Sequence, residues 1–295
     1  MLQHLTTSDA FGPWAECCKM QGSGNDFVIL DNRALQVLPA EMPMWAKAVC
    51  RRAFGMGADG LIFLDTAPRD VSADYIWHFF NADGSRAEMC GNGSRCAARL
   101  AYELGLAGRR HVLGTDAGPI RAEVLPDRDL VKVQLTPHQD LRLRLPLTLT
   151  DDSGDTDWEA HFVNTGVPHL VIFTQDVQAM DVQNLGRRFR NHPHFAPAGV
   201  NVNFVQTLNR ENMLLRTYER GVEDETFACG TGAAASVLIA QALDLTERTV
   251  SVRTSGQEEL GITIDQDAVF LTGQAILVFT ANLNLHSVGL TQTWS

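Results

Sequence analysis

The chain has no block of clustered lysine and arginine, and its 24 basic residues are outnumbered by 35 acidic ones, for a net charge of −11. Without a basic cluster to neutralise phosphates, general nucleic-acid binding is excluded. No apolar run reaches the ~18–20 residues that span a bilayer, which excludes a membrane helix. The start, MLQHLTTSDAFGPWAECCKM, lacks a basic segment followed by an apolar one, so no secretory signal is expected. C-x-x-C pairs are missing, which argues against structural zinc. So is G-x-x-x-x-G-K-[ST], which argues against a phosphate-binding loop. The expected setting is cytoplasmic, with the six cysteines (17, 18, 50, 90, 96 and 229) present as thiols.

What is present is 295 residues, 45% hydrophobic and 20% charged, enough for two globular domains. Short β-like runs recur at 27–30, 61–64, 75–80, 131–135, 170–173, 200–205, 250–252 and 276–280. Helical patterns cover 44–53, 91–104, 182–190 and 232–243. There is no regular βαβ alternation, so the class is α+β. Residues 1–15 read as a loose extension, and the polar, proline-punctuated stretch 135–155 as the crossing between domains. The division expected is 1–139 and 140–295, with the last strand a candidate to return to the first domain.

An internal repeat carries the most information. FNADGSRAEMCGNG (80–93) and YERGVEDETFACGTG (218–232) each run from an aromatic through an acidic turn into Cys-Gly-x-Gly and a small-residue helix. Cys90 and Cys229 lie 139 residues apart (229 − 90), and the earlier echoes around Gly24 and Gly166 lie 142 apart (166 − 24). Two domains on one plan, each with one such turn, is the simple reading.

A cysteine at a helix N-terminus feels the positive end of the helix dipole, which favours thiolate. The backbone N–H groups of Gly91, Asn92, Gly230 and Thr231 have no helical acceptor, and together can bind a carboxylate. Two such turns sharing one ligand would grip its carboxylate and set one sulfur on each face of the adjacent carbon. That arrangement suits proton removal from one face and return to the other. A single Cys-Gly-x-Gly is ordinarily a buried cysteine in a tight turn; its duplication with matching upstream context favours chemistry. Asn25, Asn81, Asn201, Glu219 and Arg220 are individually ordinary turn or capping residues, but collectively they suit an amino-acid terminus. GMGADG (55–60) follows a helical pattern and precedes a strand, the wrong order for dinucleotide binding. His192 and His194 read as loop histidines, not metal ligands. No spacing supports a Cys-His hydrolase built on His161 or His169.

KMQGSGNDFVILDNR, GADGLIFL, FNADGSRAEMCGNGSRC, NTGVPHLVIF, GVNVNFVQ and YERGVEDETFACGTGAAAS, in that order, resemble the signature blocks of diaminopimelate epimerases. The resemblance implies two pseudo-symmetric domains, each a β-barrel-like sheet around a central helix, with the site in the cleft between them. It implies a homodimer that needs no cofactor or metal and interconverts LL- and meso-2,6-diaminopimelate for lysine and peptidoglycan precursors. Cys90 and Cys229 would be the acid/base thiols, and Gly91, Asn92, Gly230 and Thr231 the carboxylate site. Asn25, Asn81, Asn201, Glu219 and Arg220 would hold the rest of the substrate. Gln21 and Ser23 stand where many members carry histidine and leucine, Gly60 where some carry glutamine, and Val167 where an asparagine is common, although GVPH also occurs. The rival readings are another racemase or epimerase of this scaffold acting on proline- or histidine-type substrates, a non-catalytic amino-acid-binding protein, and a disulfide-switched protein.

Overall fold

A computed structural model describes residues 13–151 and 154–290. The chain divides into two compact units, Met1–Val133 with Gln274–Ser295, and Gln134–Gly273. Residues 1–12 of the expected extension lie outside the described residues; Trp14 and Ala15 already belong to the first strand.

In the first unit, β1 (Trp14–Gly22) and β2 (Asn25–Asp31) form an antiparallel hairpin. Its two-residue turn is Ser23-Gly24, with φ of 58° and 79°, the left-handed pair that suits the twist of a hairpin. A crossover through α1 (Asn32–Leu35) and α2 (Met42–Val49) brings β3 (Gly60–Thr66) parallel to β2. β4 (Tyr75–Asn81) returns antiparallel to β3. A second crossover through α3 (Gly91–Glu103) sets β5 (Arg110–Thr115) parallel to β4. β6 (Gly118–Leu125) and β7 (Leu130–Gln134) continue as a meander.

The apolar runs FVIL and LIFL are continuous because both faces of these strands are covered. Val28, Leu30, Leu61 and Phe63 pack with Trp45, Ala46 and Val49 of α2. Their neighbours Phe27 and Ile62 point the other way, against Gly93 of α3. α3 rests on β1, β2, β3 and β6, so the sheet curls around it. A helix so enclosed needs small side chains, and Gly93, Ser94, Cys96, Ala97, Ala98 and Ala101 supply them.

The second unit repeats this order. β8 (Gln139–Asp151) pairs with β9 (Gly154–Asn164), and β9 with β10 (Pro168–Phe173), all antiparallel. A crossover through α4 (Val182–Arg190) leads to β11 (Asn201–Asn209), parallel to β10. β12 (Asn212–Glu219) is antiparallel to β11 and carries the short β13 (Asp224–Thr226). α5 (Gly230–Ala242) then crosses to β14 (Thr249–Thr254), parallel to β12. β15 (Glu259–Asp265) and β16 (Ala268–Gln274) finish the meander. α5 rests on β9, β10, β11 and β15, the counterparts of the strands that hold α3. The last strand, β17 (Ile276–Asn284), belongs to the first unit, antiparallel to β1.

One expectation is corrected. The stretch read as a crossing, 135–155, is mostly β8, a 13-residue strand. Its LRLRLPLTLT alternates with period two, and Leu147 and Leu149 enter the core of the second unit. Arginines, Pro146 and irregular pairing around Asp140 and Arg144, both with positive φ, obscure the pattern. Among the described residues, no helix is long and apolar enough to cross a membrane.

Candidate active site

Each unit presents one cysteine at the N-cap of its enclosed helix, and the local geometry is nearly the same twice. Cys90 has φ −150° and ψ 119°, and Cys229 φ −125° and ψ 104°. In both, the sulfur accepts a hydrogen bond from the backbone N–H three residues on, Gly93 or Gly232, at 3.4 Å. In both, the cysteine carbonyl accepts the first helical N–H, from Ser94 at 2.8 Å and from Ala233 at 2.9 Å. The extended backbone before the cysteine and the helical backbone after it leave the N–H groups of residues 91, 92, 230 and 231 at the helix mouths.

The surroundings of the two sulfurs differ. In the first unit, Asn25 opens β2, and its Oδ1 lies 3.8 Å from the Cys90 sulfur, the acceptor side of the amide facing the thiol. Asp59 dictates that orientation: its Oδ2 accepts from Asn25 Nδ2 at 2.6 Å and from the Asp26 N–H at 3.2 Å. Arg52 donates to Asp59 Oδ1 at 3.1 Å. Lys19, buried beneath, pairs with Asp26 at 2.6 Å. Asp59 lies in the GADG segment, read from sequence only as a turn; it is also what orients Asn25. Arg95, fully buried in α3, donates to Ser23 Oγ at 2.6 Å and to the Gln274 carbonyl at 3.2 Å, which anchors the β1–β2 turn ahead of Asn25. Asn81 sits exposed at the end of β4 and donates from Nδ2 to Ser85 Oγ at 2.9 Å. Gly60 is closely packed: a Cβ there would stand 2.6 Å from the Phe79 ring.

In the second unit, Cys229 is buried, and burial pushes its thiol up to about 12. The Glu219 charge adds to that rise, while the Thr231 hydroxyl and the Gly232 N–H oppose it. Burial thus works against the preference of a helix terminus for thiolate. Glu219 is itself raised by burial. Asn201 is buried, and its Oδ1 accepts the Arg220 N–H at 2.8 Å. The Arg220 side chain donates to the Ala198 carbonyl at 3.2 Å. Thr231 Oγ1 lies 3.6 Å from the Cys229 sulfur and 3.0 Å from His169 Nε2. The Thr231 carbonyl accepts from Thr165 Oγ1 at 3.0 Å. His169, absent from the expected site residues, is fully buried, and burial with the nearby Arg220 charge lowers its pKa to about 3. Burial likewise raises Cys17 to about 11, Cys50 and Cys96 to about 12, and lifts Cys18 as well; what sets these four apart is position, since none stands at a helix N-cap.

The glycines after the two cysteines are not equivalent. A Cβ on Gly232 would fall 2.3 Å from Asn203 Oδ1 and 3.2 Å from the Cys229 sulfur, whereas on Gly93 it would meet Ile62 at an ordinary 3.4 Å. Gly232→Ala is expected to cost ~2–3 kcal/mol through overpacking, and Gly93→Ala less than ~1 kcal/mol. Thermal melts of the two variants check this, with a fall of about 5 °C or more expected for Gly232→Ala.

Comparison with known proteins gives the family. The family model described as diaminopimelate epimerase matches residues 17–140 and 161–278. The chain belongs to the diaminopimelate epimerase family. It is 45% identical to the diaminopimelate epimerase of Aquifex aeolicus, over 91% of this chain and 98% of that one. It is 44% identical to that of Hydrogenobaculum sp., over 90% and 97%, and 39% identical to that of Archaeoglobus fulgidus, over 92% and 96%. Among solved structures, a Bacillus anthracis phenazine biosynthesis protein of the PhzF family is similar with a TM-score of 0.66 at 14% identity, covering 92% of this chain and 99% of that one. A hydroxyproline epimerase from Agrobacterium vitis gives 0.62 at 15%, covering 92% and 93%. At such identities these two likenesses speak to the α+β, two-domain fold alone. The diaminopimelate epimerase relatives run over both cysteine turns and both curled sheets.

Proposed function

We propose that this protein interconverts LL- and meso-2,6-diaminopimelate by two-base proton transfer between Cys90 and Cys229, without a cofactor. The observation that carries the reading is the duplicated N-cap cysteine, with the same 3.4 Å hydrogen bond into the sulfur in each unit, in a chain of this family. One thiolate removes the α-proton and the other thiol delivers a proton to the opposite face, which inverts the centre. Cys229, held protonated by its burial, starts as the donor in one direction; Cys90 is then the base, and reversal exchanges the roles. The α-carbon is weakly acidic, so the developing negative charge needs fixed donors. The N–H groups at 91, 92, 230 and 231 supply them at the reacting carboxylate. Asn25, Asn81, Asn201, Glu219 and Arg220 hold the remaining polar groups of the substrate, including the second amino-acid terminus that proline lacks.

In this reading the enzyme serves lysine and peptidoglycan precursor synthesis in the cytoplasm and works as a homodimer. β17 supports the last point. Among the described residues its edge away from β1 meets no strand, and Leu277, Val278 and Phe279 there are each about half exposed. The direct test is a substrate panel of LL-diaminopimelate, proline and histidine in deuterium oxide. The expected result is α-deuteration and inversion of diaminopimelate at one centre only. Turnover of proline or histidine but not diaminopimelate would refute the assignment.

A further inference from the structure

We propose that Asn203 is a positioning residue for Cys229, acting through His169 and Thr231 to aim a hydroxyl hydrogen at the sulfur. The inference deepens the epimerase reading and rests on Cys229 being one of its acid/base thiols. Asn203 lies on β11, fully buried. Its amide orientation is set by the Leu170 carbonyl, an obligate acceptor to which Nδ2 donates at 2.9 Å, while Oδ1 accepts from Thr217 Oγ1 at 3.0 Å. Turning the amide over would set Oδ1 against the Leu170 oxygen.

The second Nδ2 hydrogen faces His169 Nδ1 at 3.1 Å, so that ring nitrogen is an acceptor. A neutral imidazole carries one proton, which must then sit on Nε2. Nε2–H donates to Thr231 Oγ1 at 3.0 Å. A hydroxyl has a single hydrogen. Because Thr231 accepts from His169, its own hydrogen is free for the Cys229 sulfur at 3.6 Å. In the other tautomer Thr231 would spend that hydrogen on Nε2 and show the sulfur a lone pair. One buried amide thus decides whether the sulfur meets a donor or an acceptor.

This matters at the moment of proton delivery. The S–H bond breaks, a C–H bond forms on the substrate, and the electron pair remains on sulfur. Thr231 keeps its proton throughout and stabilises the new thiolate by hydrogen bonding, beside the Gly232 N–H. A thiol that burial makes hard to ionise depends strongly on such donors.

The test uses the full-length enzyme labelled with ¹⁵N-histidine, with the His169 ring signals assigned by their loss in His169→Gln. The expected wild-type tautomer is Nε2–H, and Asn203→Asp, which offers Nδ1 an acceptor, is expected to switch it to Nδ1–H. The same variant should lower kcat for diaminopimelate by ~10–100-fold with KM changed less than about twofold. Thr231→Val should lose the rate as Asn203→Asp does, which covers the case of an aspartate variant that does not fold. Site-resolved alkylation of Cys229 in a Cys90→Ala background should slow ~10-fold in Thr231→Val. This arm needs no turnover, so its result stands even if diaminopimelate proves not to be the substrate. An Nδ1–H wild-type ring, a tautomer switch without loss of kcat, or unchanged alkylation would overturn the proposal.

Discussion

Replacing Cys90 or Cys229 by alanine is expected to lower diaminopimelate epimerisation by ~10³-fold or more, since each removes a proton-transfer group that has no substitute nearby. Serine should serve little better, because an alkoxide is far less accessible than a thiolate. The two variants should not be equivalent in deuterium oxide. With one thiol left, a proton can still be removed from a single face and replaced there by deuterium without inversion. Residual exchange is therefore expected in one isomer for Cys90→Ala and in the other for Cys229→Ala. Each cysteine also caps its helix, so the substitution costs ~1 kcal/mol of stability. Thermal melts alongside the kinetics separate that cost from the chemistry. Full epimerisation by either variant would dismiss the two-thiol mechanism.

Lowering the pH from 7.5 to 4.5 is expected to destabilise the protein by an amount that His169→Gln partly removes. His169 is held neutral in the fold, with a pKa of about 3 set by burial first and the Arg220 charge second. In the unfolded chain an ordinary histidine titrates near ~6.5. Between these values the unfolded state binds a proton that the folded state refuses, so stability is intact above pH ~6.5 and falls as the pH drops. The slope is ~1.4 kcal/mol per pH unit, or about 2–3 kcal/mol by pH 4.5. Urea denaturation at pH 7.5, 5.5 and 4.5 measures it. The glutamine variant should show a slope shallower by one proton; identical slopes would mean that His169 takes up a proton in the fold as easily as outside it.

The parts of the site legible in the sequence are those whose chemistry is local. Cys90 and Cys229 cap helices because glycines follow them and small residues continue the helix, and both facts lie within a dozen residues of chain. The repeat of the plan was equally visible, as were the strands at 27–30 and 61–64, though not that both their faces are covered. β8 was not, because arginines and Pro146 sit within an alternation that only its pairing with β9 reveals. Asp59 looked like a turn residue because its role depends on Asn25, 34 residues away in the chain. His169 was set aside as a hydrolase base, and Asn203 was not singled out at all. Their meeting follows from the parallel pairing of β10 with β11, which sets His169 beside the Asn201–Asn203 segment, and from the way α5 enters beneath it.

The sequence by itself determined the α+β class, the doubled plan, which two of six cysteines stand at helix mouths, and the membership that its signature blocks imply. Local backbone preference and hydrophobic patterning are enough for these. Only the tertiary structure decided that Cys229 is a thiol resistant to ionisation, which amides have their orientation dictated, and that His169 stays neutral. Those properties depend on desolvation and on hydrogen-bond partners supplied by strands distant in sequence, which no local pattern records.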